Sequence, residues 1–177
     1  MATAYSKIQR NFWETDEARE MTPEEKYFWM YLQTNANVNT LGCYAFRMRK
    51  AMDETGYNRE TLEKLLQRME QVLRILYDEG TKEVFLLHWA EGNWNKKTAT
   101  LRALAADLKE IQSKTLKETV KTLLLKNGIF TEEEVEKAEK TAPSAQERNE
   151  KEQRGTTGNK WSGEGEGEGE GEGEKIY

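Results

Sequence analysis

Apolar positions recur at helical spacing through most of this chain, broken by a few short runs that read as strands. The first helix signal is "MTPEEKYFWMYLQTN". Thr22 is placed to cap, Pro23 falls at the first helical position, where its missing N–H costs nothing, and Glu25 completes a Thr-x-x-Glu capping box. From Tyr27 to Leu32 six successive positions are aromatic or apolar. One stripe cannot hide them, so the helix is expected to be buried on more than one side, part of it against a second subunit.

An asparagine-rich loop, "NANVNTLG", leads to a short strand around Cys43 to Phe46. "RMRKAMDETG" predicts a short helix ending at Gly56, and "YNRETLEKLLQRMEQ" a second, with Asn58 as cap and Leu62, Leu65, Leu66, Met69 and Leu73 at helical spacing. Two β-rich runs follow, Leu73 to Tyr77 and Val84 to Trp89, joined by a polar loop containing Gly80. From Lys96 a longer helical stretch carries Leu101, Leu104, Leu108 and Ile111 on one face, then Val120, Leu123 and Leu124, until Gly128 stops it. A last short helix, Thr131 to about Lys140, has the acidic first turn Glu132 to Glu134 that suits the helix dipole.

Helix, short strand, helix, turn, helix, hairpin is the order of a winged helix-turn-helix. The expected fold class is therefore mainly α with a small β-hairpin wing: a winged helix-turn-helix, a helical extension and a disordered tail. The boundaries are 1–95 for the winged-helix domain, 96–140 for the extension and 141–177 for a linker or tail. In the tail glycine and glutamate alternate from Gly163 to Glu174, a self-repelling spacer of random-coil character. It reads as a linker that has lost a following domain rather than as an acidic tail with a job of its own.

Composition sharpens this picture in two places. Charged residues make up 33% of the chain and hydrophobic ones 36%, with a mean hydropathy of -0.94, and the excess polarity sits in the C-terminal third. The net charge of -5 divides unevenly: Met1 to Lys114 has 17 basic and 17 acidic residues, the remainder 10 and 15. A length of 177 residues fits one hydrophobic core with appendages.

Catalytic and metal-binding constellations fail on inventory. The chain has one cysteine, Cys43, and one histidine, His88, which exclude an internal disulfide and a zinc site of the usual kind. His88 lies within the apolar run "VFLLHW" and reads as a structural strand residue, and Cys43 as core. No phosphate-cradling glycine loop appears. The expectation is a non-enzymatic protein without metal or cofactor. With no apolar run long enough for a bilayer and no signal core at the N-terminus, it is expected to be cytoplasmic and to make no membrane contact.

Double-stranded DNA is the natural partner of such a fold, with the second helix of the motif in the major groove and the wing on phosphate. The candidate contacts are Lys64, Gln67, Arg68 and Gln71 on that helix, with Arg59 at its start. Arg47 and Arg49 lie on the helix before it, Lys82 in the wing, and Lys96 and Lys97 after it. Glu60 and Glu63 share the second helix and would meet phosphate repulsion. Between Gly42 and Arg102 basic residues exceed acidic ones by 11 to 9. Phe12, Trp13, Tyr27, Trp29, Met30 and Tyr31 are the candidate subunit interface.

The pattern from about Tyr5 to Lys114 resembles the N-terminal domain of phage replisome organisers, akin to the winged-helix domain of the bacterial primosomal protein DnaD. The residues that carry the resemblance are Phe12-Trp13, Pro23-Glu24-Glu25-Lys26, Tyr31-Leu32, Thr34-Asn35, Asn39, Gly42 and Tyr44, then Gly56-Tyr57, Tyr77-Asp78 and Trp89. It places a short strand before the first helix and ends the wing strand at Trp89. It implies a protein of phage or prophage acting at initiation of DNA replication in the bacterial cytoplasm. Such proteins bind origin DNA as oligomers and help to recruit the helicase loader or replicative helicase. In DnaD-like proteins the winged-helix domain serves largely for self-association, and a C-terminal domain with a Tyr-x-x-x-Ile-x-x-Trp motif supplies further binding; this chain has no counterpart of that motif. Two other functions share these features: a protein-interaction scaffold that contacts no DNA, and a winged-helix transcription regulator.

Overall fold

The computed structural model describes Ser6, Ile8 and residues 10–141. The Gly-Glu repeat, and with it the expectation of disorder beyond Pro143, lies outside the described residues. A 3-10 turn, Arg10–Glu14, and a short helix α1, Asp16–Glu20, stand where the resemblance places an N-terminal strand. The Thr15 hydroxyl accepts from the Ala18 N–H, so a helix cap fixes this segment rather than strand pairing.

The capping box forms as read. Thr22 Oγ1 accepts from the Glu25 N–H at 3.2 Å, and the Glu25 carboxylate accepts from the Thr22 N–H at 2.9 Å. It opens α2, Pro23–Thr34, whose Phe28, Trp29 and Leu32 are buried. Strand β1, Cys43–Ala45, precedes α3, Met48–Thr55, which ends with Gly56 in the left-handed conformation. Asn58 then caps α4, Arg59–Gln71, accepting from the Thr61 N–H. Leu62, Leu65, Leu66 and Met69 form its buried face.

Leu73 belongs to neither the helix nor the strand. After α4 the Leu73 N–H bonds the Glu70 carbonyl and the Arg74 N–H reaches back to Met69, the two bonds that close a helix C-terminus with a left-handed residue between them. That residue is Leu73 itself, at φ 52 and 67% exposed. β2 therefore begins at Ile75 and runs to Asp78; β3 is Glu83–Leu86. β1 and β2 are both antiparallel to β3, in the order β1-β3-β2. β3 stops before His88, because the chain turns into the short helix α5, Trp89–Asn93. His88 is thus no strand residue, and its ring, about half exposed, faces Glu91 at 3.4 Å. Trp89 starts a helix instead of ending a strand, and its indole N–H donates to the Thr40 carbonyl at 3.0 Å.

The expected long helix after Lys96 is two helices, α6 (Thr98–Glu110) and α7 (Lys114–Lys126), followed by α8 (Glu132–Thr141). The break has an electrostatic cause. Asp78 and Glu83 stand opposite one another across β2 and β3, where like charges repel. The α6–α7 junction brings donors to both. Glu83 accepts from the Gln112 and Ser113 N–H groups at 3.0 and 2.7 Å, and the Ser113 hydroxyl donates to Asp78. Ser113 Oγ also caps α7 by accepting from the Leu116 N–H.

The extension packs back onto the rest of the chain. Buried Asp107 on α6 accepts from the Leu41 N–H, and Leu104, Leu108, Leu116, Val120 and Leu124 join the same buried cluster as Phe28, Phe85 and Ile75. All described residues belong to one compact unit. The molecule is mainly helical with a small three-stranded antiparallel sheet. Among the described residues no helix is long and apolar enough to cross a membrane.

Candidate nucleic-acid interface

The residues expected to meet DNA do not gather in one place. Arg59, Gln67 and Lys82 line a cleft of about 490 Å³ between α4 and the β2–β3 hairpin, together with Phe46, Met48 and Leu66. The same cleft holds three carboxylates, Glu63, Glu70 and Glu79. Two of them pair with the cations: Arg59 with Glu63 at 3.4 Å and Lys82 with Glu79 at 3.4 Å. Glu70 accepts from the Tyr77 N–H. Burial raises the Tyr77 hydroxyl pKa, and the surrounding carboxylates, Glu79 foremost, push the same way.

Lys64, on the exposed side of α4, pairs with Glu60 at 2.7 Å, and this lysine holds the Glu60 carboxyl below its ordinary range. These are pairs between exposed side chains close in sequence, screened by solvent, and they add little to stability. Their importance is to the surface potential: the cations of α4 and the hairpin are neutralised by their own neighbours. That much was present in the sequence, since Glu60 and Lys64, and Arg59 and Glu63, stand four residues apart.

Arg68 points the other way, with its Nε 3.0 Å from Glu25 of α2, a carboxylate only 8% exposed as a residue. It ties α4 to the head of α2. Gln71 lies beside it along a groove with Glu20, Met21 and Leu73. Lys96 lies beside the α7–α8 turn and adds to the depression of the Glu134 pKa, which comes first from the Thr131 N–H bonded to that carboxylate. Arg47 and Arg49 are exposed at the start of α3, and Lys97 is exposed at the head of α6. These three have no ion pair among the described residues.

The apolar surplus of α2 is largely covered within the chain. Phe12 and Trp29 are 8% and 5% exposed, which leaves them little surface to offer a second copy. The Arg74 guanidinium lies 5.6 Å from the centre of the Trp29 ring. Met30 and Tyr31 are half-buried against the core. The Tyr31 hydroxyl donates to Glu54 at 2.8 Å, and burial, assisted by that carboxylate, pushes its pKa up. Trp13 and Tyr27 remain open, at 64% and 48%. Trp13 meets Phe12 edge-on and Lys26 over its face, and Tyr27 meets Tyr57 edge-on.

Cys43 is 2% exposed, and burial drives its thiol pKa well above the ordinary range, with Glu83 and Asp107 adding to the rise. A thiol held protonated is a poor nucleophile. Among the described residues no group of three His, Cys, Asp or Glu side chains is placed to hold a metal ion. Comparison with protein-family models, curated proteins and solved structures gives no match to this chain.

Proposed function

We propose that this chain is a non-enzymatic DNA replication initiation protein of the phage replisome-organiser type, working in the bacterial cytoplasm. Its fold is read as a winged helix-turn-helix, with α3 and α4 as the motif and β2–β3 as the wing. In this reading it binds double-stranded origin DNA, self-associates and helps to recruit a helicase loader or replicative helicase. The observation that supports it is the arrangement itself. Two helices meet at the Gly56–Asn58 turn, the hairpin follows at once, and the early strand β1 adds to the hairpin on the β3 side. Trp13 and Tyr27 are the aromatic surface available for self-association.

The pairing of Arg59, Lys64 and Lys82 with glutamates favours a second reading, a scaffold that assembles partners without touching DNA through α4. Gel shifts on duplex DNA at low salt, together with sedimentation of the same protein, separate the two. Salt-sensitive binding by an assembly larger than a monomer supports the first reading. Assembly with no DNA affinity supports the second, and a monomer that does not bind removes both.

A further inference from the structure

Charge is spread unevenly along the chain in a way that the helix-turn-helix region hides. Residues 1–95 hold 12 basic and 15 acidic side chains, residues 96–126 hold 8 and 3, and residues 127–141 hold 2 and 5. Only the middle stretch, which runs from Lys96 and Lys97 through α6 and α7, has a positive balance. Of its three acids Asp107 is buried on the Leu41 N–H, Glu118 pairs with Lys121 at 2.9 Å, and Glu110 is exposed at the end of α6.

Helical spacing gathers the cations. Arg102 and Lys109 stand seven residues apart on α6; Lys114, Lys117 and Lys121 stand three and seven apart on α7, so each set falls on one stripe. The stripes meet at the junction, where Lys117 Nζ lies 3.4 Å from the Lys109 carbonyl oxygen at the negative end of the α6 dipole. Arg102, Lys109 and Lys114 are exposed, and Lys117 and Lys121 partly so. Glu83 and Asp78 hold this junction against the sheet, so the cations sit on a fixed platform and not on a loose loop.

We infer that the α6–α7 junction, through Arg102, Lys109, Lys114, Lys117 and Lys121, is the surface that contacts the phosphate backbone of double-stranded DNA. This rests on the DNA-binding reading above and moves its main contact away from α4. Lys114 to Lys121 spans about 10 Å of helix axis, and lysine stems are long enough to reach phosphates near either end. On α4 three cations stand with three glutamates, and each cation has a carboxylate partner within 3.4 Å, whereas in residues 96–126 cations outnumber acids.

The test uses the full chain and a labelled duplex of about 30 base pairs, with affinity followed by anisotropy between about 50 and 200 mM salt. Lys114→Glu with Lys117→Glu is expected to weaken binding tenfold or more at the lower salt and to flatten the salt slope by about 2. Arg59→Glu with Lys64→Glu is expected to change affinity less than about threefold, since each cation is already neutralised where it stands. The neutral pair Lys114→Gln and Lys117→Gln, checked for an unchanged melting curve, gives the same flattening at smaller amplitude and covers failure of the charge-reversed protein to fold.

Unchanged affinity and slope in the α7 variants, with the α4 variant impaired, overturns the inference and leaves DNA binding standing. A wild-type chain that binds no duplex overturns both. Loss of binding to polyglutamate with unaltered DNA affinity assigns the stripe to an acidic protein and also overturns it.

Discussion

Replacing Glu83 by alanine removes the acceptor on which the α6–α7 junction is built. Glu83 is 6% exposed, and its carboxylate accepts from the Gln112 N–H at 3.0 Å and from the Ser113 N–H, at a buried residue, at 2.7 Å. Hydrogen bonds to a charged acceptor contribute about 1.5–3 kcal/mol each, and a buried donor left without a partner costs about 1–3 kcal/mol. Two such bonds give a loss of about 3–6 kcal/mol, offset by about 0.5–1 kcal/mol because the repulsion with Asp78 across the strands disappears. The net expectation is about 3 kcal/mol. Glu83→Gln keeps one acceptor oxygen and loses about 1–2 kcal/mol. With a urea slope of about 2 kcal/mol/M, the alanine variant unfolds at a midpoint lower by about 1.5 M. A shift below about 0.3 M, or a glutamine variant as damaged as the alanine one, refutes the account of why the helix breaks at residues 111–113.

Other substitutions probe separate parts of the fold. Gly42 has φ +76, and a Cβ there would lie 2.4 Å from Trp89 Cγ and Cδ1, so Gly42→Ala should cost about 2–4 kcal/mol by thermal melting; a loss under about 1 kcal/mol contradicts it. Leu73→Gly relieves a left-handed leucine with little burial to lose, and should stabilise the chain by about 0.5–1 kcal/mol; destabilisation would mean that the Leu73 side chain holds something in place. The Ser113 hydroxyl, then the Thr81 N–H, holds the Asp78 carboxyl below its ordinary range. A depressed native pKa makes a contribution that is present above the ordinary carboxylate value and lost as pH falls from there through the lower native value. Asp78→Asn should therefore lower the urea midpoint at neutral pH and flatten its fall between about pH 5 and 3, and an unchanged acid profile refutes this.

Local chemistry was legible in the sequence wherever one residue carries the instruction. Thr22, Pro23 and Glu25 wrote the head of α2, Asn58 the head of α4, and Gly128 the end of α7. Leu73 defeated the same reading because a leucine occupies the left-handed place that Gly128 takes in the equivalent bonds after α7. His88 looked like a strand residue because nothing local marks the turn into α5; the turn is set by Trp89 reaching the Thr40 carbonyl, 49 positions away. The junction at 111–113 was hidden for the same reason, since Ser113 reads as an ordinary polar helix residue until Asp78 and Glu83 are brought to it. As for the candidate interface, the basic surplus between Gly42 and Arg102 comes from Lys96, Lys97 and Arg102; without these three the same stretch holds 8 basic and 9 acidic residues.

DNA binding is the claim on which the functional account stands, and the salt dependence of duplex affinity for the full chain tests it most directly. Contact through about four or five cations gives a slope of log K against log salt near -4, with affinity falling by about two orders of magnitude between about 50 and 200 mM. Absence of binding at the lowest salt, or an affinity indifferent to salt, contradicts it.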